Sequence, residues 1–492
     1  MKFDFDKVID RRGTWSDKWD MSDEQLRGYD MAEKRPEDGI YMSTADMDFQ
    51  CAPCIFVLMP YAVGDTGRSL PIAIVVAIAL MMCAYFYNIV LASMFPLKGG
   101  DYSHVAFLSS PTMMGVYAMM TVTTNFGIAG LATSCISYAS SVFPFLAGMS
   151  KPVGFVLLTV FFLINVKGAK FGAKFENAMS IALIVALAGF AIMGLPKVKW
   201  GELFQGEGFL YQGWHGLFGA IAMMSFASQG PSAVGAALAA DTRKPTRTVP
   251  RIIFLSTIVV AVLYLGMGVV AVGALPIEQV AYQDLTVVAK EVFPNWFFVF
   301  FVLGGAVCAL LTSVLSQITT ARYPLMQMAD EGWLPAVFKK KTKSGFPYVI
   351  MGTLYIITMI PLIFDISYDV VVSFVCVPMT LFLVYVNLVC IKLPKMYPAQ
   401  WKHSVLHMPY PLYVCLMVFS ALCSAFATYT FASDITEVSQ LVILAVVCLA
   451  IVFYTKWRLK KGYVKEQYLL DQKQAIITEI EELIAQEEAQ KS

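Results

Sequence analysis

Charge is what this sequence has least of. Asp, Glu, Lys and Arg together make up 14% of its 492 residues, where ordinary soluble chains carry about 25%. That scarcity excludes an ordinary water-soluble domain. A net charge of +1 with no basic, aromatic-laced patch gives no sign of a nucleic-acid surface. There are only four histidines. Of the ten cysteines, Cys51-Ala52-Pro53-Cys54 alone has Cys-x-x-Cys spacing. No second pair or clustered His completes a metal site around it, so no metal ligand and no cofactor is assigned. The opening lacks a signal-peptide pattern, with Lys2, Asp4, Asp6, Lys7, Asp10, Arg11 and Arg12 where a short basic start and an apolar run would stand. The apolar blocks lack mid-span Asp, Glu, Lys or Arg, the usual mark of a proton relay.

What is present is apolar sequence in long runs. Hydrophobic residues reach 58% and the mean hydropathy is +0.65. Crossing the ~30 Å hydrocarbon core takes roughly 20 apolar residues in a helix. Blocks of that kind fall near 70–95, 112–147, 152–167, 177–196, 215–240, 251–275, 295–321, 347–364, 368–391, 408–433 and 437–456. A shorter piece, Ile55 to Gly64, precedes them. The reading is eleven full spans and a stub in an all-α integral membrane protein.

Loop charge sets the orientation, because Lys and Arg accumulate on the cytoplasmic side. Alternate loops are basic: Lys167, Lys170 and Lys174; Arg243, Lys244, Arg247 and Arg251; Lys339, Lys340, Lys341 and Lys343; Lys392, Lys395 and Lys402. The loops between them are neutral or acidic, with Glu278, Asp284 and Glu291, then Asp365 and Asp369, then Asp434 and Glu437. Lys151 alone runs against the pattern. Both termini therefore fall in the cytoplasm of a multi-pass protein of the cell membrane. Trp200, Trp214, Trp296, Trp333, Trp401 and Trp457 sit at span ends, where an amphipathic ring suits the interface. The charged tail carries Ile476, Ile477, Ile480, Leu483 and Ile484 at helical spacing, which predicts a cytoplasmic amphipathic helix.

Three turns carry a resemblance. Pro96-x-x-Gly99-Gly100-x-Tyr102 follows the second helix. Lys244-Pro245-Thr246-Arg247-Thr248-Val249-Pro250-Arg251 follows the sixth. Arg322-Tyr323 through Met328-Ala329-Asp330-Glu331-Gly332-Trp333-Leu334-Pro335 follows the eighth. In this order and register they resemble the signature turns of amino-acid permeases of the amino acid–polyamine–organocation superfamily, over residues 55–456. The resemblance implies two inverted five-helix repeats plus two C-terminal helices. It also implies first and sixth helices broken at the bilayer midplane, where exposed N–H and C=O groups meet a substrate.

Ser225-Phe226-Ala227-Ser228-Gln229-Gly230-Pro231-Ser232 interrupts the sixth span. Phe226, Ala227, Ser228, Gln229 and Gly230, facing Ile55 and Phe56, are the substrate-binding candidates. Ala309-x-x-Thr312-Ser313 resembles the spacing at which sodium-coupled members of the fold hold Na⁺. Ala309, Thr312 and Ser313 are thus ion-binding candidates, although Ser and Thr are also routine contacts between membrane helices. The implied partners are the bilayer, an amino-acid substrate and either a coupling ion (Na⁺ or H⁺) or an exchanged amino acid. Phe226, Ser228, Gln229, Thr312, Ser313, Ser316, Thr124 and Asn125 bring no charge to the cavity. A neutral, zwitterionic amino acid is the expected substrate, because a charged side chain would need a counter-ion there.

The first helix departs from the family. Ala52-Pro53-Cys54 occupies the place of its Gly-x-Gly break, and Asp46, Asp48 and Gln50 stand where an apolar half-helix is expected. Residues 1–54, with Asp4-Phe5-Asp6-Lys7, Asp10-Arg11 and Met42-x-x-Ala45-Asp46-Met47-Asp48-Phe49, are similar to the opening of pyridoxal-phosphate-dependent cystathionine β-lyases. The remainder of such an enzyme, including its lysine, has no counterpart. The segment is read as non-catalytic, the tail 457–492 as a separate cytoplasmic helix, and no catalytic residue is assigned. Two alternatives stand beside the transporter: a sensor-like or inactive permease remnant, and a membrane-anchored lyase. The orientation is checkable. In a variant with its native cysteines replaced, Lys340→Cys is expected to react with a membrane-impermeant maleimide only from the cytoplasmic side; labelling of intact cells would reverse the topology.

Overall fold

The computed structural model describes residues 54–95, 104–105, 107–167, 172–203, 208–230, 245–342, 346–364, 366, 368–433, 435 and 437–464, with isolated tail positions up to 478. The lyase-like opening before Cys54, the 96–102 turn, Pro231 and most of the tail helix lie outside the described residues. Among the described residues all extended regular structure is helical; a single bridge, Gly67 with Phe209, is the exception.

In hydrocarbon no water satisfies a backbone N–H or C=O, so a span has to close its hydrogen bonds within itself. The longer helices are α1 (Cys54–Thr66), α2 (Leu70–Ala84), α3 (Phe86–Met94), α4 (Pro111–Thr123), α5 (Ile128–Ser140), α6 (Ser150–Lys167), α7 (Gly172–Gly194) and α8 (Gly213–Ser228). After them come α9 (Pro245–Gly273), α10 (Asn295–Phe300), α11 (Cys308–Glu331), α12 (Tyr348–Phe364), α13 (Tyr368–Cys390), α14 (Tyr410–Ser433) and α15 (Val438–Lys460). Some spans are joined from two pieces. A turn at Tyr85 links α2 to α3, a 3₁₀ turn (Thr124–Gly127) links α4 to α5, and a π-helical stretch (Phe301–Val307) links α10 to α11.

Among the described residues, seven stretches are long and apolar enough to cross a membrane: Leu70–Met94, Pro111–Ser140, Pro250–Gly273, Asn295–Ile318, Val370–Cys390, Tyr410–Ser433 and Val438–Lys460. The other four expected full spans come out shorter within the described residues. Ser150–Val166, Ile181–Lys197 and Tyr348–Phe364 are short apolar helices, and α8 stops at Ser228. The expected stub is also a helix, wholly inside the bundle: Ile55, Phe56, Leu58 and Met59 are fully buried. This is the all-α fold of an amino acid–polyamine–organocation-type membrane transporter, with the short α1 opening one set of five spans and the short α8 the other.

Two boundaries have local causes. The turn between α1 and α2 is made by Gly67 at φ +61°, a conformation that glycine adopts without Cβ strain. Gly332 at φ +95° caps α11, accounting for the Glu331-Gly332-Trp333 turn as a left-handed helix end. The sequence places α9 from 251, but it starts at Pro245, since proline suits the first helical turn.

The tryptophan reading needs correction at two positions. Trp200, Trp214 and Trp296 are exposed, as the interface reading expects, but Trp333 is fully buried and Trp401 nearly so. A bare span-end position leaves this choice open; here the turn after α11 folds back under α15. Arg458 of α15 is itself buried there. Its Nε donates to the Gly332 carbonyl (3.0 Å) and its Nη2 to the carbonyls of Gly332 (2.5 Å) and Leu334 (2.8 Å). Tyr454 Oη donates to the Trp333 carbonyl (3.1 Å). Arg458 thus ties the peripheral, mostly lipid-facing α15 to the bundle. Losing a charged donor that satisfies buried carbonyls costs about 1.5–3 kcal/mol. Arg458→Met is therefore expected to lower the unfolding temperature in detergent by several degrees, with exposed Lys460→Met as the unchanged control.

Candidate functional site

α1 and α8 pack side by side and run antiparallel. At one end Gln212, the residue before α8, donates its backbone N–H to the Asp65 carbonyl (3.1 Å) and its side-chain Nε2 to the Gly64 carbonyl (3.4 Å). With 13 and 16 residues, the two helices reach about 20 and 24 Å from that junction at 1.5 Å per residue. The described part of α1 begins at Cys54, and α8 ends at Ser228, with Gln229 next. A helix N-terminus presents unpaired N–H groups and a C-terminus presents unpaired C=O groups. Such a pair of ends is complementary to a zwitterion.

Both helices have freed carbonyls with identifiable partners. Pro60 lies inside α1 and has no N–H to give to the Phe56 carbonyl one turn back. Tyr138 of α5 supplies the missing donor, its Oη to Phe56 O at 2.8 Å. The Phe56 ring packs against Tyr138 and Phe301, both with centroids 5.6 Å away. Ile55 and Phe56 are fully buried. In α8, Ala227 and Ser228 are buried, Phe226 is half-buried, and Gln229 follows the last helical residue. Tyr264 Oη donates to the Ala227 carbonyl (3.1 Å), and Tyr85 Oη to Gln229 Oε1 (3.3 Å). Gly230 is buried, and residues 231–244 lie outside the described residues.

The ion-binding candidates sit in the first turns of α11, just after the π-helical stretch. Ala309 and Ser313 are buried. Thr312 Oγ1 donates to the carbonyls of Cys308 (3.1 Å) and Ala309 (2.9 Å), so two of these oxygens are already engaged within the helix. Likewise Thr124 Oγ1 donates to Thr121 O (2.8 Å) and Asn125 Nδ2 to Val122 O (3.0 Å).

A cavity of ≈ 250 Å³ lies away from the 226–230 segment. Val57, Pro60 and Tyr61 of α1 line it, with Thr133, Ser134 and Ser137 of α5 and with Tyr282 and Asp284 of the connection between α9 and α10. That connection is at the end of the bundle opposite the basic loops. It is fastened to α1 and α5 together. Tyr282 N–H donates to Pro60 O (3.3 Å), Tyr282 Oη to Asp65 Oδ1 (2.7 Å), and Leu285 N–H to Tyr138 Oη (3.3 Å). Ser137 Oγ donates to Asp284 Oδ2 at 2.6 Å. Partial burial raises the Asp284 carboxyl above its ordinary value, and the Ser137 hydrogen bond draws it partly back. Burial and the Asp65 carboxylate push the Tyr282 phenol up.

Sequence reasoning registered Asp284 only as an acidic loop residue and passed over Ser137, Tyr138 and Tyr282. The available signal was Pro60: a proline inside a buried helix calls for an outside donor, but the sequence does not say which. Tyr138→Phe tests this bridge. It leaves a buried carbonyl and a buried N–H without their partner, at about 1–3 kcal/mol each, so a marked drop in thermal stability is expected; an unchanged melting curve would refute the bridge.

Comparison with known proteins agrees with this architecture. Residues 42–454 match the family described as amino acid permease. The branched-chain amino acid permease BcaP of Bacillus subtilis (strain 168) is 25% identical over 325 residues, covering 60% of this chain and 67% of that protein. The polyamine transporter PUT1 of Oryza sativa subsp. japonica is 25% identical over 138 residues, covering 28% of this chain and 25% of that protein. The vacuolar cationic amino acid transporter 2 of Arabidopsis thaliana is 27% identical over 189 residues, covering 38% and 29%. The chain thus spans less than a third of the latter two. The cystathionine β-lyase resemblance gains no support, and the permease match begins inside that segment, at residue 42. With the family pattern running through nearly every helix described above, the chain belongs to the amino acid permease family.

Proposed function

We propose that this permease is a secondary transporter that carries an amino acid with an uncharged side chain across the cell membrane by alternating access. The observation that carries the reading is the antiparallel pairing of α1 and α8, in which α8 ends at Ser228 beside α1 and inside the bundle. N–H groups at the start of α1 suit a carboxylate, and carbonyls at the end of α8 suit an ammonium. Ile55 and Phe56 on one side and Phe226, Ala227, Ser228, Gln229 and Gly230 on the other are the proposed substrate contacts.

Charge placement supports a neutral side chain. Among the described residues, the buried His, Glu and Arg side chains are His104, Glu331 and Arg458. All three belong to the basic-loop end, so none serves as counter-ion near the α1 and α8 ends. The relatives' names point in different directions, to branched-chain amino acids, polyamines and cationic amino acids. This chain's own side chains therefore carry the argument. Ala309, Thr312 and Ser313 remain the proposed place for a coupling Na⁺. H⁺ coupling and amino-acid exchange are the competing modes. Residues 55–456 form the proposed transport domain, 1–54 a non-catalytic cytoplasmic segment, and 457–492 a cytoplasmic helix. The replaced first half-helix supports a second reading, a sensor-like or inactive remnant.

Uptake by the full chain in proteoliposomes separates these readings. Labelled leucine should accumulate and be displaced by excess alanine, serine or leucine, but not by arginine, lysine or glutamate. Displacement chiefly by a charged amino acid would overturn the neutral pocket. Specific binding without uptake would favour the sensor-like reading.

A further inference from the structure

Asp284 is a partly buried carboxylate in the wall of the cavity between α1, α5 and the 274–294 connection. Oδ2 accepts the Ser137 hydroxyl at 2.6 Å. Among the described residues no Lys, Arg or His pairs with it; the ion pair found at that end of the bundle is Arg68 with Glu202, at 2.9 Å. Half-removing an anion from water without a counter-charge is unfavourable, and such a group is stabilised by any cation that reaches it.

The surroundings select the kind of cation. Ser134 and Ser137 offer hydroxyl oxygens, and Tyr61 and Tyr282 add aromatic rings, which attract organic cations as well as packing against carbon. A volume of ≈ 250 Å³ far exceeds the ~30 Å³ share of one water, so it admits an ammonium together with part of the chain that bears it. A bare metal ion would leave most of that space unfilled.

We propose that this cavity is an entry site for primary ammonium groups, in which the solute docks on the Asp284 carboxylate before it reaches the α1–α8 ends. Only the second half of that statement rests on the transport reading; the docking itself is an equilibrium property. The ammonium belongs either to the backbone of an amino acid or to the side chain of an amine. Ser137 is a positioning residue, which orients the carboxylate and favours its ionised form.

The test is equilibrium binding to the purified full chain, so that it does not depend on uptake. The probes are leucine, which has an α-ammonium; cadaverine, which has ammonium groups and no carboxylate; and N-acetyl-leucine, which has a carboxylate and no ammonium. Leucine, cadaverine or both should bind, while N-acetyl-leucine should not. Leucine alone identifies the α-ammonium as the source, and cadaverine alone identifies a side-chain amine. Asp284→Asn should weaken that binding about tenfold or more, as expected for loss of a charge-assisted contact, and Asp284→Glu should restore part of it.

Binding should also fall as pH drops through the raised Asp284 value, because the protonated acid no longer attracts a cation. Tyr61 and Tyr282 line the same space, Asp65 accepts from the Tyr282 hydroxyl outside it, and Lys151 follows the cavity residue Ser150. Asp284 is the carboxylate in the cavity wall, so it is the group expected to set the acid limb. Ser137→Ala retains the carboxylate and should move that limb to higher pH, which keeps the test open if Asp284→Asn does not fold. Equal binding of N-acetyl-leucine, an Asp284→Asn protein with unaltered affinity, or dependence on sodium in place of the ammonium would each overturn the proposal.

Discussion

The structure depends on one constraint: a backbone carbonyl in hydrocarbon has to find a donor, and every interruption of a helix creates carbonyls that have lost theirs. Side chains of neighbouring helices meet that demand here. Tyr138 reaches the carbonyl that Pro60 frees in α1. Tyr264 reaches Ala227 near the end of α8. Asn387 Nδ2 donates to the Ala84 carbonyl where α2 gives way to α3, at 2.8 Å. At the end of the π-helical stretch, the Cys135 thiol lies 3.8 Å from the Val307 carbonyl. Each break is therefore also a tie between helices, and the irregular backbone is held from outside its own helix.

Those ties concentrate around α1. The helix has only 13 residues, yet its outer end touches the connection before α8, and its middle is held by α5. The connection between α9 and α10 closes over the same face. An element fastened this way moves only together with its partners. The packing of Phe56 against Phe301 links it also to the π-helical stretch that precedes the ion-binding candidates. The substrate candidate Phe56 thus touches the stretch that leads into the helix of the ion candidates, not those candidates themselves.

Charge is distributed by end. Arg458 and Glu331 are buried at the basic-loop end, each satisfied locally: Arg458 by carbonyls, Glu331 by the Gln327 side chain at 2.8 Å. His104 is buried at the same end, where desolvation lowers it to about 3 and keeps it neutral, with Nδ1 2.9 Å from Asn88 Oδ1. At the opposite end the carboxylate of Asp284 is left to the cavity. A cation approaching from that side meets an anion, whereas the interior between the short helices offers backbone dipoles and hydroxyls.

The sequence by itself determined the solvent and the helical class of the fold. Apolar runs of bilayer length, with charge confined to the breaks, leave no other stable arrangement than a helical bundle, and the polar 225–229 stretch marks where α8 stops. Its reading of a truncated first helix, from Asp46, Asp48 and Gln50, lies outside the described residues. Only the tertiary structure decided which partners those features take. Pro60 demands a donor, but any tyrosine or serine of the bundle satisfies the demand equally on paper; the packing of α5 chose Tyr138. Trp333 stands at a span end like Trp296, yet one is buried and the other exposed, because α15 folds over the first and no described residue covers the second. Asp284 reads as one more loop acid until the fold sets Ser137 beside it and a cavity before it. Local sequence fixes which groups need partners or solvent; long-range packing decides what each of them meets.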